Sequence, residues 1–193
     1  MGQFTLVLFG AFEARRPRGA ALVLPKKIRA LVAYLALTPE HSCPRGELAT
    51  LLWGDTSDAQ ARQSLRQALR RLRTALGTRT EAIHVDGDTV ALDAAAIEVD
   101  TIAFERLVAD GGAAALERAV ALYRGELLAG LDLDEKPFED WLVGQRERLR
   151  EMALMAAGQL LTRHSHSPTR ARFSSCSRTC TGRTRSACAS WPS

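Results

Sequence analysis

Residues 58–76 combine five arginines and three glutamines with one acidic side chain, that of Asp58. On a helical wheel of about 100° per residue, four of these arginines fall within about 80° of one another, and two glutamines extend the same flank. The six residues are Arg62, Gln63, Arg66, Gln67, Arg70 and Arg73. A guanidinium pairs through two hydrogen bonds with phosphate or with guanine O6 and N7, and a glutamine amide pairs in the same way with adenine. The stretch could therefore bind a nucleic acid duplex.

The other side of the same wheel is apolar and carries Leu65, Leu69, Leu72 and Leu76. A helix of this kind packs its leucine face into a core and presents its polar groups on the opposite face. Ser57, followed three residues later by Gln60, has the form of a capping box and predicts that the helix begins there. An ordinary solvated basic face is the alternative, and the elements around the helix are needed to distinguish the two.

The residues before this stretch predict strands followed by two helices. Residues 4–9 alternate with the period of a half-buried strand, and a second short β run is expected at 22–24. Pro25 suits the first turn of a helix, since proline lacks the N–H that this position leaves unbonded. Pro44 predicts a second, shorter helix over 45–53 for the same reason.

The residues after the arginine-rich stretch predict a β-hairpin. Two short β runs, 82–85 and 89–92, flank the turn sequence Asp-Gly-Asp at 86–88. Strands, three helices and a hairpin in this order are the layout of a winged helix-turn-helix domain, whose recognition helix lies in the major groove. This context favours nucleic acid binding over a solvated face for 58–76.

Beyond residue 95 the pattern becomes helical. Asp100 can cap the first helix, and two glycines at 111–112 separate it from a second, which predicts an αα-hairpin. A polar connection leads to a long amphipathic helix over about 138–162. Residues 164–193 have no such periodicity and contain eight serines, five arginines and no acidic residue. We expect this tail to be disordered, and we hypothesise that it is an out-of-frame or foreign end.

Composition and motifs exclude several classes of function. The first 163 residues carry 21 basic and 22 acidic side chains, so the basic stripe is local and does not reflect an overall basic protein. Phosphate-cradling glycine loops and hydrolase or metalloprotease motifs are absent, so we expect neither an enzyme nor a bound cofactor. No stretch is long and apolar enough to span a bilayer and no signal peptide is recognisable, which predicts a cytoplasmic protein.

We expect no metal site. The cysteines at 176, 180 and 188 are spaced C-x3-C and C-x7-C, which does not fit a zinc knuckle, and Cys43 is alone. The acidic residues at 132–140 lack the central glycine and terminal glutamate of an EF-hand, so a solvated acidic loop is expected there. Unpaired, reduced thiols are the expectation for the cysteines.

Several motifs resemble the actinobacterial SARP/AfsR-type antibiotic regulators. The sequences "LPKKIRALVAYLALTP", "ELATLLWGD", "ARQSLRQALRRLR" and "DGDTVALD" resemble the winged helix of that family. The sequences "VDTIAFERLV", "ALERAVALYRGELLAGL" and "FEDWLVGQRERLRE" resemble the bacterial transcriptional activation domain that follows it. The resemblance covers about residues 4–162, and the two halves in this order are specific to the family.

The resemblance implies an α+β, OmpR-like winged helix-turn-helix DNA-binding domain at 1–97. It also implies a partial all-α, TPR-like activation domain at 98–163, with the tail at 164–193. It implies binding to double-stranded promoter DNA, as a homodimer on direct repeats, and contacts of the helical domain with RNA polymerase. The residues expected to contact DNA are Arg62, Gln63, Arg66, Gln67, Arg70 and Arg73 on the third helix, Arg45 beside a helix N-terminus, and Thr89 in the wing.

The chain departs from the family where its helical pattern stops, near His164, because the activation domain usually continues through further helix pairs. Helices of this kind bury their faces against neighbours, so the short version puts activation in doubt. Two other functions stay open at this point. One is a helical protein–protein interaction module with an incidental basic stripe, and the other is the sensor end of a truncated multidomain signalling enzyme.

Overall fold

The computed structural model describes residues 4–17, 19–77 and 82–165. The predictions for the tail therefore lie outside the described residues from 166 onward, together with the cysteines at 176, 180 and 188. The long helix, which the periodicity predicted at about 138–162, extends over Lys136–Ser165.

The first sheet has three strands: β1 (Phe4–Val7), β2 (Glu13–Arg15) and β6 (Ile97–Val99). β1 is central, antiparallel to β2 and parallel to β6. The expected strand at 22–24 is wrong. This segment runs beside β2 and donates one hydrogen bond, from Leu22 N to Ala14 O (2.8 Å), but continues no ladder. The strand is instead at 13–15, where one buried alanine between two exposed charged residues gives too short an alternation to recognise.

Three helices follow: α1 (Lys26–Leu37), α2 (Arg45–Trp53) and α3 (Asp58–Leu76). As predicted, each of the first two begins directly after a proline. Ser57 is the N-cap of α3, so the predicted start of this helix is confirmed, but the capping box is wrong because the Ser57 side chain makes no capping hydrogen bond. A short 3₁₀ helix and the strand β3 (Ser42–Pro44) lie between α1 and α2.

The second sheet contains the predicted hairpin, β4 (Ile83–Asp86) and β5 (Thr89–Leu92), which we call the wing. β3 pairs antiparallel with β5 on the side away from β4. Cys43, in the middle of β3, lies opposite Val90, and both side chains are buried. The sequence analysis missed β3 because three residues between two helices carry no recognisable period.

The helical half comprises α4 (Asp100–Asp110), α5 (Ala113–Leu122) and α6 (Lys136–Ser165). Gly111 adopts a positive φ of 67° at the end of α4, which turns the chain into α5 and forms the predicted αα-hairpin. The N-cap of α4 is Val99, so the prediction that Asp100 caps this helix is wrong. The Asp100 carboxylate instead accepts hydrogen bonds from Leu8 N (2.9 Å) and Phe9 N (3.0 Å), which follow β1.

The two halves of the chain share one hydrophobic core. Residues 126–129 run along residues 8–10 and exchange three backbone hydrogen bonds of 2.8–2.9 Å with them. The Phe9 ring packs edge-on against Phe104 and Tyr123, with centroids 5.2 and 5.0 Å apart. Buried side chains from both sheets and from the helices α1 to α6 form one continuous cluster. Strand β6 crosses the boundary expected at 97/98 and leads directly into α4.

Candidate nucleic acid interface

Helix α3 is held by its apolar face. Leu65 and Leu72 are each 1% exposed, and Ala61, Ala68 and Leu69 are also buried. The opposite face is open to solvent, and all six residues of the predicted stripe (Arg62, Gln63, Arg66, Gln67, Arg70 and Arg73) are exposed. The fold thus orients the guanidinium and amide groups outward along a helix of 19 residues.

The arginines of α3 are available to an external anion. Among the described residues, no salt bridge involves an arginine of this helix. Arg66 donates one hydrogen bond from Nη2 to Gln63 Oε1 (3.0 Å), which orients two polar groups of the stripe relative to each other. A guanidinium with most of its donors unused is suited to bind phosphate or a base edge.

A groove runs between α3 and the wing. Its lining includes four of the predicted contact residues: Arg45, Arg66, Arg70 and Arg73. A neighbouring depression is lined by Arg45, Arg62 and Arg66. Arg45 N donates to the carbonyl of Asp88 (2.7 Å), so the first turn of α2 is fixed to the wing turn. The structure therefore brings five of the eight predicted residues to one continuous basic surface.

The other three predicted residues lie around this surface. Gln63 is next to Arg66, and Gln67 lines a shallow area on the outer side of α3 with Arg70 and Arg71. Thr89 is exposed at the start of β5, opposite Asp86 in the hairpin register.

His84 is a candidate that sequence reasoning missed. This exposed residue of β4 lines the groove between α3 and the wing together with Ile83 and Val85. The available signal was its place in the hairpin: Ile83 is buried and Val85 half-buried, so the alternation of a strand leaves His84 exposed. An imidazole at this position adds a hydrogen-bonding group to the groove.

Glu135 is buried, contrary to the prediction that the acidic loop is solvated. It is 5% exposed, and its carboxylate binds Lys27 Nζ (2.6 Å) and the backbone N–H of Gly54 (3.0 Å). The neighbouring Asp132, Asp134 and Glu139 carry carboxylate oxygens within 4.8 Å of one another, and both aspartates are exposed. Exposed acidic groups are common without a metal, so only Glu135 contradicts the expectation.

Burial changes the pKa of Cys43, the middle residue of β3, which pairs with the wing. Desolvation, reinforced by the nearby Glu47 carboxylate, raises the pKa of the Cys43 thiol to about 11. The residue is 2% exposed, so its thiol is a neutral packing group and not a nucleophile. Among the described residues, no helix is both long and apolar enough to cross a membrane.

Comparisons with known proteins identify the segment that contains this surface. Residues 19–86 match the family described as "Transcriptional regulatory protein, C terminal". The solved structure of Mycobacterium tuberculosis EmbR in complex with a low-affinity phosphopeptide has a TM-score of 0.67 and 19% sequence identity to this chain. The similarity covers 85% of this chain and 47% of that one, so this chain spans about half the length of that structure. No curated protein matches the sequence significantly.

The family match agrees with the winged helix that the sequence motifs indicated, and the structural match agrees with the expected fold. The family match covers α1, α2, α3 and β4, the elements that carry the basic surface. The structural match shows that the winged helix and the helical half together form a fold already seen in a longer protein.

Proposed function

We propose that this chain is a DNA-binding transcriptional regulator that reads promoter DNA by inserting α3 into the major groove. Its residues 19–86 match the family described as "Transcriptional regulatory protein, C terminal". The observation that carries the proposal is the solvent-exposed stripe of arginines and glutamines on α3, supported from behind by buried leucines. A helix about 10–12 Å across fits the major groove of B-DNA, which is about 12 Å wide.

The stripe divides into two kinds of contact. Arginines and glutamines on the part of α3 that enters the groove can pair bidentately with guanine or adenine and supply sequence discrimination. Arginines at the margins pair with phosphates, which fix the register of the protein and make binding salt-dependent. We assign Arg62, Gln63, Arg66 and Gln67 to base contacts, because they lie in the first half of α3, and Arg70 and Arg73 to the backbone.

The groove between α3 and the wing accommodates the adjacent phosphate backbone. Arg45 lies in the first turn of α2, where unbonded backbone N–H groups also favour an anion. Thr89 and His84 present hydrogen-bonding groups from the wing side. In this arrangement α3 reads the duplex while the wing and Arg45 hold its flank.

The helical half has a different part in the proposal. By resemblance to SARP-type regulators, α4–α6 support self-association on direct repeats and contact RNA polymerase. In line with the match to a transcriptional regulatory domain, the proposed action is regulation through binding and not an enzymatic reaction.

The proposal is tested with DNA selected by the protein itself. The full chain selects duplexes from a random pool, and the affinity of the best duplex is then measured over a range of salt concentrations. Replacing Arg66 and Arg70 with alanine should weaken binding at least tenfold, since each bidentate contact contributes about 1–3 kcal/mol. The slope of log affinity against log salt should fall by about one for each phosphate that no longer has an arginine partner.

A matched control removes the same charge elsewhere. Arg106 and Arg118 are exposed arginines of α4 and α5, outside the basic surface. Their double alanine variant should keep both the affinity and the salt slope of the wild type. If the Arg66/Arg70 variant binds like this control, α3 is not the reading element.

A further inference from the structure

We propose that Glu135 is a positioning residue for α3: from the helical half, it fixes the turn that precedes the DNA-reading helix. The inference rests on the proposed function, because it concerns how α3 is held for DNA. Glu135 lies 59 residues after the end of α3 in sequence, at the start of α6. No other acidic side chain of the 132–140 segment is buried.

Glu135 is fixed at both its backbone and its carboxylate. Its carbonyl accepts hydrogen bonds from Phe138 N and Glu139 N, each 3.0 Å, and so begins α6. One carboxylate oxygen, Oε1, lies 2.6 Å from Lys27 Nζ in α1. The other, Oε2, accepts a hydrogen bond of 3.0 Å from Gly54 N at the end of α2. A single buried carboxylate thus connects α1, α2 and α6.

Gly54 is the first residue of the turn that joins α2 to α3. A Cβ built on Gly54 would lie 2.8 Å from the carbonyl oxygen of Thr50, so this turn needs a glycine, and the Gly54 N–H reaches Glu135 Oε2 at 3.0 Å. Lys27 completes the arrangement, since its Nζ lies 5.2 Å from the centroid of the Trp53 ring. The charged pair therefore holds the end of α2 by both backbone and side chain.

The position of this turn matters for every contact along α3. Gln67, the last residue assigned to base contacts, lies nine residues and about 13.5 Å from the start of α3, so a tilt of about 5° at the first residue displaces it by about 1.2 Å. Groups that recognise a ligand must be held within about 0.5 Å of their productive geometry. The leucine face limits tilting from one side, and Glu135 limits it at the N-terminal end.

The test compares two carboxylates of the helical half that each accept hydrogen bonds from backbone N–H groups of the N-terminal half. Glu135→Gln weakens the hold on the turn before α3. Asp100→Asn weakens the hold on Leu8 and Phe9, which follow β1. Both variants are measured as full chains, at a temperature where circular dichroism shows each to be folded, against the selected duplex and against a shuffled duplex of the same composition.

We expect Glu135→Gln to lower affinity for the selected duplex about tenfold, with little change for the shuffled duplex and an unchanged salt slope. Asp100→Asn should keep the ratio of the two affinities within about twofold. A merely structural role of Glu135 would move both variants alike, and that result, or an unchanged ratio in Glu135→Gln, overturns the proposal.

A second measurement needs no DNA and separates this inference from the proposed function. Amide hydrogen exchange of residues 54–57 should be faster in Glu135→Gln than in the wild type, and unchanged in Asp100→Asn. Equal exchange in all three proteins overturns the positioning role even if the chain binds DNA. Failure of the wild type to select any duplex overturns the proposed function instead. If Glu135→Gln does not fold, Lys27→Gln, which changes the more exposed partner, takes its place with the same expected results.

Discussion

Residues 1–97, expressed without the rest of the chain, should not form a stable winged helix. The N-terminal half donates three backbone hydrogen bonds to carboxylates of the helical half: from Leu8 and Phe9 to Asp100, and from Gly54 to Glu135. Hydrogen bonds to charged groups contribute about 1.5–3 kcal/mol each, so these three account for roughly 5–9 kcal/mol. The aromatic contacts of Phe9 add about 0.5–1.5 kcal/mol for each ring pair.

This destabilisation is comparable with the whole stability of a small domain, about 5–15 kcal/mol. Thermal unfolding of the fragment, followed by circular dichroism, should therefore show no cooperative transition, whereas a chain of residues 1–165 should unfold cooperatively. The reasoning is refuted if 1–97 unfolds cooperatively within about 5 °C of the longer chain, since a shift that small corresponds to about 1 kcal/mol for a domain of this size.

Three further predictions test the core and the buried ionisable groups. Leu65→Ala should lower the free energy of unfolding, measured in urea, by about 2–5 kcal/mol, because Leu65 is only 1% exposed. Leu161 is 73% exposed, so Leu161→Ala should change the same free energy by less than about 0.5 kcal/mol. Because its pKa is raised to about 11, the Cys43 thiol should resist alkylation at pH 8 in the folded chain and react when the chain unfolds. Peptide mapping of alkylated Cys43 would measure this, and rapid labelling without unfolding would contradict it. Burial raises the pKa of Asp100. The contribution of Asp100 to stability is therefore complete below the unfolded pKa of about 3.9 and declines as the pH rises through the folded pKa. Over that pH range the wild type should lose stability relative to Asp100→Asn. Parallel pH profiles of stability for the two proteins would contradict this prediction.

The helices and the wing were predictable because their signals are local. Pro25 and Pro44 each precede a helix, and the turn at 87–88 joins two strands of the expected length. The exposed stripe on α3 followed from the same kind of signal, since a period of 3.6 residues places its arginines and leucines on opposite faces before any tertiary contact is known.

The short strands and the environments of Asp100 and Glu135 were not predictable, because they depend on distant segments. β6 has three residues and forms a strand only because β1, about 90 residues earlier, provides a parallel partner. Asp100 and Glu135 are acidic residues next to helix starts, where solvent exposure is the usual outcome. Glu135 is buried and Asp100 half-buried, because each carboxylate accepts hydrogen bonds from backbone N–H groups of the other half of the chain.

The route of the chain from β6 into α4 has a consequence for how the two halves act together. Val99 is both the last residue of a strand paired with β1 and the N-cap of α4, so no flexible linker separates the sheet from the helical half. Asp100 and Glu135 then attach the helical half at two separate places, beside β1 and before α3. Two attachments at a distance restrict rotation as well as separation, whereas a single hinge would leave rotation free. A partner bound to the helical half would therefore act on the orientation of α3 through a rigid connection and not through a tether.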